Sequence, residues 1–593
     1  MALEMGLVSI GLLALAGRQV SLGVGLVAVL SAGFHLYLLI DFVVLTHLLF
    51  RLRRHFASHI LHWSNYAKSA EQLGWKPVHV IALVVGLGVV SAGAVVWARR
   101  QFGPPTVGAV FWAAMLGALG LALASLRIVP RKAAFRLNNI LFVEQGEWLR
   151  DLWQRFRRHE EVALVLSEWA PYERFIRRDE GKPLLRRAEA FTGEPQFELT
   201  LADGERPHVL LLFLESFRAA NVGVIGHDVA ASPEFDRLAR EGALFTQFYC
   251  NGVQTTRAAT ASLFGILPRF TFAPEASDIG HLPKLRGLPQ LFAELGYRSA
   301  YLHNGDLSYE NQDLFYSHTG YDELHGIGEI ETAFPKAQNL SGWGVPDEFL
   351  MRYYVDWLRG QDRRQRRTFA TMFTISNHHP YAVPENFAAP AFACPGNDYK
   401  EKFLRAFYYT DHCLGLLVRL LKERGLYEKT VLFVLGDTGQ PLGEHEENFS
   451  QQMFLYEENI HIPLLILAPG RLRQPAVIAE PASQVDLLPT FIDLFGQPFW
   501  HHSFGSSLVR RQPGRKVFFN NPYACRTFGL RRGPWKYLYE YNSDEAFLFD
   551  LAAHPGETEN LVQAHPDQAA AMHAEVDQVT RLFDYLYRAK RFC

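Results

Sequence analysis

Cysteine is scarce in this chain. Its five cysteines (Cys250, Cys394, Cys413, Cys525 and Cys593) lie far apart and form no CxxC pair. That spacing suggests no thiolate zinc site, and the odd number leaves at least one thiol without an intramolecular partner. Excess charge is missing too, since 59 lysines and arginines against 61 aspartates and glutamates give a net of −2. A nucleic-acid-binding protein would show a basic face, so the balance argues against that class. Charge is most sparse in the first 130 residues, and that local shortage is informative.

A helix of about 20 apolar residues crosses a hydrocarbon core about 30 Å thick. Residues 22–44, 78–97 and 107–126 reach that length. Residues 3–16 are too short alone and are cut off from the next run by Arg18. The apolar character recurs instead of ending at a small-residue site, which is unlike a cleaved signal peptide. A multi-pass membrane region is therefore expected over 1–130. The basic loop holding Arg51, Arg53, Arg54, Lys68 and Lys76 would be cytoplasmic by the positive-inside rule.

Residues 131–205 turn polar and basic, with helical stretches such as GEWLRDLWQRFRRHEEVALVL. They read as a connector along the membrane surface or as a solvated helical linker. Beyond them, uninterrupted apolar runs (VLLLFL, TFATMF, TVLFVLG, IPLLIL) alternate with amphipathic segments such as LPQLFAELG and YYTDHCLGLLVRLLKERG. Strands buried on both faces and separated by helices predict an α/β fold with a doubly wound sheet over 206–500. After about residue 501 short aromatic strands (KVFFNNP, WKYLYEY) and a final helix predict a small α+β subdomain over 501–593.

Open α/β sheets carry their chemistry at the carboxyl ends of the strands. Glu215 closes the first strand and Asp437 closes TVLFVLG. Thr255 and Thr256 precede a short helix, whose free N–H groups favour an anion. Two carboxylates with a hydroxyl suit a hard or borderline metal that activates the hydroxyl as a nucleophile, with Arg257 positioned for phosphoryl or sulfuryl oxygens. His378 and His379 of ISNHHPY follow another strand, where an imidazole can protonate a leaving oxygen. Taken singly, the carboxylates read more often as helix caps, the threonines as an N-cap and the histidines as structural; their combination on successive strand ends favours the site.

The ordered motifs HVLLLFLESF, QTTRAATASLFGILP, WGVPDEFL, ISNHHPY, VLGD and QVDLLPT resemble those of lipoteichoic acid synthase-like proteins. These belong to the alkaline phosphatase superfamily, alongside sulfatases and phosphoethanolamine transferases. The tail GLRRGPWKYLYEYNSDEAFLFDLAAHPGETENLV looks more like that of sulfatases. The resemblance spans about residues 207–561. It implies an acidic metal ligand at Glu215, a nucleophilic metal-bound threonine at Thr255, an aspartate ligand at Asp437 and a substrate histidine at His378. His303 and Asp306 match an HxGD core, and Trp343 of WGVPDEFL joins the implied substrate-binding set. It further implies one divalent ion (manganese, with zinc or magnesium as options), a membrane phospholipid donor and a glycan or lipid-linked acceptor. The catalytic domain would then face away from the cytoplasm, against the charge rule, with the protein in the cell (inner) membrane.

Two positions depart from that pattern. Thr438 stands where a fourth ligand, histidine, follows the aspartate, and a neutral hydroxyl is a weaker ligand than imidazole. Tyr309, Glu310, Asn311 and Gln312 replace a tryptophan and an arginine that hold glycerol phosphate. Three readings follow. One is an active phosphotransferase whose altered metal site recruits Thr438, His445 or water. A second is a sulfatase-like hydrolase, although no CxPSR motif is present. The third is a catalytically inactive binder of lipid or protein.

Overall fold

The computed structural model describes residues 173–592, apart from 180, 203, 227, 271–283, 447, 449, 524 and 542. The three apolar runs, the basic loop and most of the connector lie outside these residues. Among the described residues no helix is long and apolar enough to cross a membrane.

The chain first forms a hairpin of β1 (Glu173–Arg178) and β2 (Arg186–Phe191), to which the short β12 (Trp500–His501) later adds. The last part of the expected helical connector is thus a sheet edge. Its alternating burial over RRAEAF reflects a strand with one covered face.

The main sheet comprises β3 (His208–Leu214), β4 (Ala243–Tyr249), β5 (Arg298–His303), β6 (Glu323–His325), β7 (Thr368–Phe373), β8 (Thr430–Gly436), β9 (His461–Leu467), β10 (Ala476–Ile478) and β11 (Ala482–Ser483). Its order is β10-β4-β9-β8-β3-β7-β5-β6, with β11 also on β4. All pairings are parallel except those of β9, which runs against both β8 and β4. The sheet is therefore mixed rather than wholly parallel.

All seven residues of β3 are buried, as are those of β8. Strand periodicity sends Val209, Leu211 and Phe213 into one core and Leu210, Leu212 and Leu214 into the other. Each such leucine contributes roughly 1.5–3 kcal/mol by leaving water. Helix α1 (Thr255–Phe264) covers the first face. Helices α2 (Asp347–Arg363) and α3 (Asp398–Glu423) cover the second, with Tyr354, Phe407 and Leu414 inward.

A third sheet of β13 (Lys516–Asn521), β14 (Thr527–Arg532), β15 (Trp535–Glu540) and β16 (Glu545–Asp550) is an antiparallel meander, followed by α4 (Pro566–Ala589). Lys536 is the anchor of this unit. Its ammonium is fully buried, 2.7 Å from Glu557 and 3.0 Å from Glu457. Burial opposes its charge, but the two carboxylates override that and hold the pKa above the ordinary lysine value. On the near side, Asn251 Nδ2 donates to the Phe518 carbonyl at 2.6 Å, and Asn520 N donates to the Asn251 carbonyl at 3.0 Å.

Candidate active site

Four adjacent strands, β8, β3, β7 and β5, end at one edge. Leu214 is in register with Gly436, so the next residues, Glu215 and Asp437, emerge side by side. Phe213 and His303 are both in register with Phe373, which brings the stretch from Thr374 to His378 and the His303 ring to the same edge.

Asp437 is the hub. Its Oδ1 accepts from Ser216 N at 2.8 Å and from Thr438 N at 2.6 Å, and its Oδ2 accepts from Thr255 Oγ1 at 2.9 Å. Glu215 N donates to Thr374 Oγ1, and Ser216 Oγ donates to Glu215 Oε1 at 2.8 Å. Ser216 adopts φ 50°, a left-handed turn that a serine enters at a cost. Asn377 Nδ2 donates to the Glu215 and Ser216 carbonyls and so holds the turn, while Gln451 Nε2 donates to Ser216 Oγ.

The two carboxyl groups lie in poor company for their charge. Burial pushes Glu215 up to about 7, with the Asp347 carboxylate adding to the rise. Burial pushes Asp437 well above the usual range, and the Glu215 charge pushes it further. Among the described residues neither carboxylate has an ion pair to a lysine or arginine. Two buried acids that repel each other, beside a hydroxyl, make an oxygen-donor set that fits a hard divalent cation. Glu215, Asp437 and Thr255 Oγ1 would hold it, and Thr438, whose side chain is buried beside Asp437, is the nearest further oxygen in sequence. No cluster of three or more His, Cys, Asp or Glu suited to a metal exists among the described residues. The missing imidazole at Thr438 has no substitute in the cluster.

His445 is not that substitute. Its Nδ1 bonds Glu458 Oε1 at 2.7 Å, its Nε2 bonds the Gly556 carbonyl at 3.1 Å, and its ring stacks on Tyr456. With both nitrogens engaged it ligates no metal in this arrangement. Arg257 also departs from expectation. It is fully buried, stacks over the Tyr523 ring, and donates to Tyr523 Oη and the Arg269 carbonyl. Those partners make it a brace for α1 rather than a hand for the transferring oxygens.

Each histidine of the edge has one ring nitrogen fixed by a backbone carbonyl. A carbonyl can only accept, so His303 Nδ1–H donates to the Phe373 carbonyl and His378 Nδ1–H to that of His379. Burial lowers both pKa values. A β-carbon on Gly305 would meet His303 Nε2 at 2.6 Å, so only glycine lets the loop pass this ring. His378 packs on Trp343, with ring centroids 4.6 Å apart, and Trp343 meets the edge of Tyr309 at 5.1 Å. Asp306 accepts from Ser308 N and Oγ and shapes the turn that follows.

Sequence reasoning missed three participants. Gln254, the N-cap of α1, spends its side chain on Glu310 Oε1, at 2.7 Å, and on the Tyr523 hydroxyl. Asp347 is fully buried and takes Ile375 N, Ser376 N and Thr410 Oγ1, fixing the loop that carries His378. Gln484 Nε2 supports the Asp437 carbonyl at 2.8 Å. Asp347 lies in WGVPDEFL, and the two glutamines open the motifs QTTRAATASLFGILP and QVDLLPT.

The Sulfatase family model matches residues 207–497, and the model for the C-terminal part of N-sulphoglucosamine sulphohydrolase matches 443–582. Lipoteichoic acid synthase 1 of Bacillus subtilis (strain 168) is 24% identical over 330 residues, covering 53% of this chain and 50% of its own length. The chain thus spans half of that relative. Arylsulfatase K of Gallus gallus is 24% identical over 461 residues, covering 62% of this chain and 81% of that protein. The crystal structure of a protein in the alkaline phosphatase superfamily from Vibrio parahaemolyticus superposes with a TM-score of 0.57 at 20% identity, covering 72% of this chain and 96% of that one. The chain thus carries a Sulfatase-family domain over residues 207–497, with an alkaline phosphatase/sulfatase-like α/β fold, and is similar to lipoteichoic acid synthase and arylsulfatases.

Proposed function

We propose that the chain is a membrane-anchored, metal-dependent phosphotransferase that moves a phospholipid-derived head group, of the phosphoglycerol or phosphoethanolamine type, to an envelope acceptor. The observation that carries this reading is the Thr255 hydroxyl held on Asp437 at the end of two buried parallel strands. Thr255 Oγ bonds to phosphorus as the bond to the lipid glycerol oxygen breaks, and the threonine proton leaves along its hydrogen bond towards Asp437. The departing glycerol oxygen takes a proton from water. The acceptor hydroxyl then attacks the phosphothreonine, giving its proton to His378, and threonine is regenerated. A neutral His378 suits taking this proton better than supplying one. A divalent cation, when bound by Glu215, Thr255 and Asp437, lowers the hydroxyl pKa and offsets charge on the transferring group.

The apolar runs before residue 130 support a multi-pass anchor, with the catalytic part extracytoplasmic and lipid within reach. The test is the full chain in vesicles containing phosphatidylglycerol or phosphatidylethanolamine, with manganese. Diacylglycerol should appear, together with a phosphorylated Thr255 peptide by mass spectrometry. Undiminished release in Thr255→Ala overturns the assignment.

A sulfate-ester hydrolase is the second reading, favoured by the match to arylsulfatase K over 81% of that protein. Hydrolysis of p-nitrocatechol sulfate without diacylglycerol release would select it.

A further inference from the structure

Beyond Asp437 and Thr438 the chain does not return at once to the sheet. It passes His445, Asn448 and Gln451 before the short helix Glu457–Ile460 that leads into β9. Gln451 ties this loop to the site, through its bond to Ser216 Oγ and from there to Glu215. His445 is held from outside the loop. Its Nδ1 lies 2.7 Å from Glu458 Oε1, and its Nε2 lies 3.1 Å from the Gly556 carbonyl oxygen in the C-terminal unit. An ionised carboxylate and a carbonyl can only accept hydrogen bonds, so both ring nitrogens carry hydrogen and His445 is an imidazolium.

Its surroundings agree with that charge. The ring lies 6° from parallel to Tyr456 with centroids 3.8 Å apart, against an aromatic face that attracts a cation. Burial disfavours the charge, but Glu458 outweighs it, with Glu557 adding to the effect, and His445 is held above the ordinary histidine value. Burial likewise opposes the Glu458 charge, and His445 and Asn448 outweigh it. Behind Glu557 stands Lys536, which also pairs with Glu457.

Hydrogen bonds carry this contact to the site. Glu458 Oε1 also accepts from Asn448 Nδ2 at 2.8 Å, and Asn448 Nδ2 reaches Asn459 Oδ1 at 2.6 Å. Asn459 Nδ2 donates to the carbonyls of Ser450 and Gln451, which sets the backbone from which Gln451 reaches Ser216. We infer that His445, as an imidazolium, is a positioning residue: a proton-dependent clasp that ties the loop carrying Gln451 to the C-terminal unit and so steadies Ser216 and Glu215. The clasp is independent of which reaction the site performs. A neutral ring donates from one nitrogen only, so loss of the proton breaks one of the two bonds. The folded value lies above 6.5, so the clasp is complete below pH 6.5 and opens as pH rises through the folded value.

The test is hydrogen–deuterium exchange by mass spectrometry on the full chain in detergent, from pH 6 to 9. Protection in peptides from the loop is corrected for the intrinsic exchange rate. Glu557 and Glu215, both pushed up by burial to about 7, ionise over the same range, so wild type is compared with variants that keep them. Wild type should lose about tenfold more protection than His445→Gln, whose side chain has no proton to lose; tenfold is the worth of one charge-assisted hydrogen bond. Glu458→Gln removes the counter-charge and should move the transition to lower pH. Equal losses in wild type and His445→Gln, a transition at unchanged pH in Glu458→Gln, or a loop already unprotected at pH 6 overturns the inference.

Discussion

Thr255 donates its hydroxyl hydrogen to Asp437 across 2.9 Å, joining the first residue of α1 to the end of β8. The other Asp437 oxygen is held by two backbone N–H groups, so the carboxylate cannot swing away from the hydroxyl. The site is built before any ligand arrives. Its disadvantage in the metal-free state is a pair of buried acids.

That pair gives a pH signature. The folded pKa of Glu215, about 7, lies above its ordinary 4.5. Its neutral form therefore contributes stability that is fully present below pH 4.5 and is lost as pH rises through 7. Metal-free protein should lose about 3 kcal/mol over that window from Glu215 alone. Saturating manganese should restore it at pH 7.5, and Glu215→Gln should flatten the profile. Thermal melts with and without chelator decide it; a metal-free profile that rises with pH would contradict the burial argument.

Thr438→His should strengthen metal binding. The buried threonine sits beside Asp437, where an imidazole would add a stronger donor than a hydroxyl. Affinity for zinc or manganese, read by calorimetry on the full chain, should rise by at least about tenfold. Unchanged affinity would mean that position 438 does not face the ion.

Arg257→Met tests brace against hand. Loss of its bonds to Tyr523 and the Arg269 carbonyl should cost about 2–4 kcal/mol in denaturant unfolding. A variant with unaltered stability and abolished turnover would return Arg257 to the transferring oxygens.

Lys536→Met leaves the buried Glu557 without its lysine, while the half-buried Glu457 keeps Arg531 at 3.6 Å. Removal of one partner from a buried ion cluster costs about 3–5 kcal/mol. The loss should appear as a lower unfolding midpoint, and Glu557→Gln in the same background should recover part of it. An unchanged midpoint would show that water reaches the cluster.

The buried strands were legible because a parallel strand covered on both faces is apolar along its centre, as VLLLFL and VLFVL are. Glu215 and Asp437 were legible because each ends such a run at the carboxyl edge of the sheet, where open α/β folds carry their chemistry. The reversal of β9 was not, since IPLLIL reads the same in either direction. The role of Arg257 was equally hidden. It stands two residues after Thr255, but its partner is Tyr523, and no local pattern links the two. His445 looked available for the same reason, because Glu458 and Gly556 approach it only through the fold.

The contact between Tyr523 and Gln254 also sets an order of events during synthesis. Tyr523 lies 269 residues after the glutamine it holds. The ribosome therefore releases Thr255, Glu215 and the apolar segments long before it makes the support for the loop that presents the threonine. Until that support arrives, a nascent chain has Thr255 but not its finished setting, and the site is completed only once Tyr523 has been made.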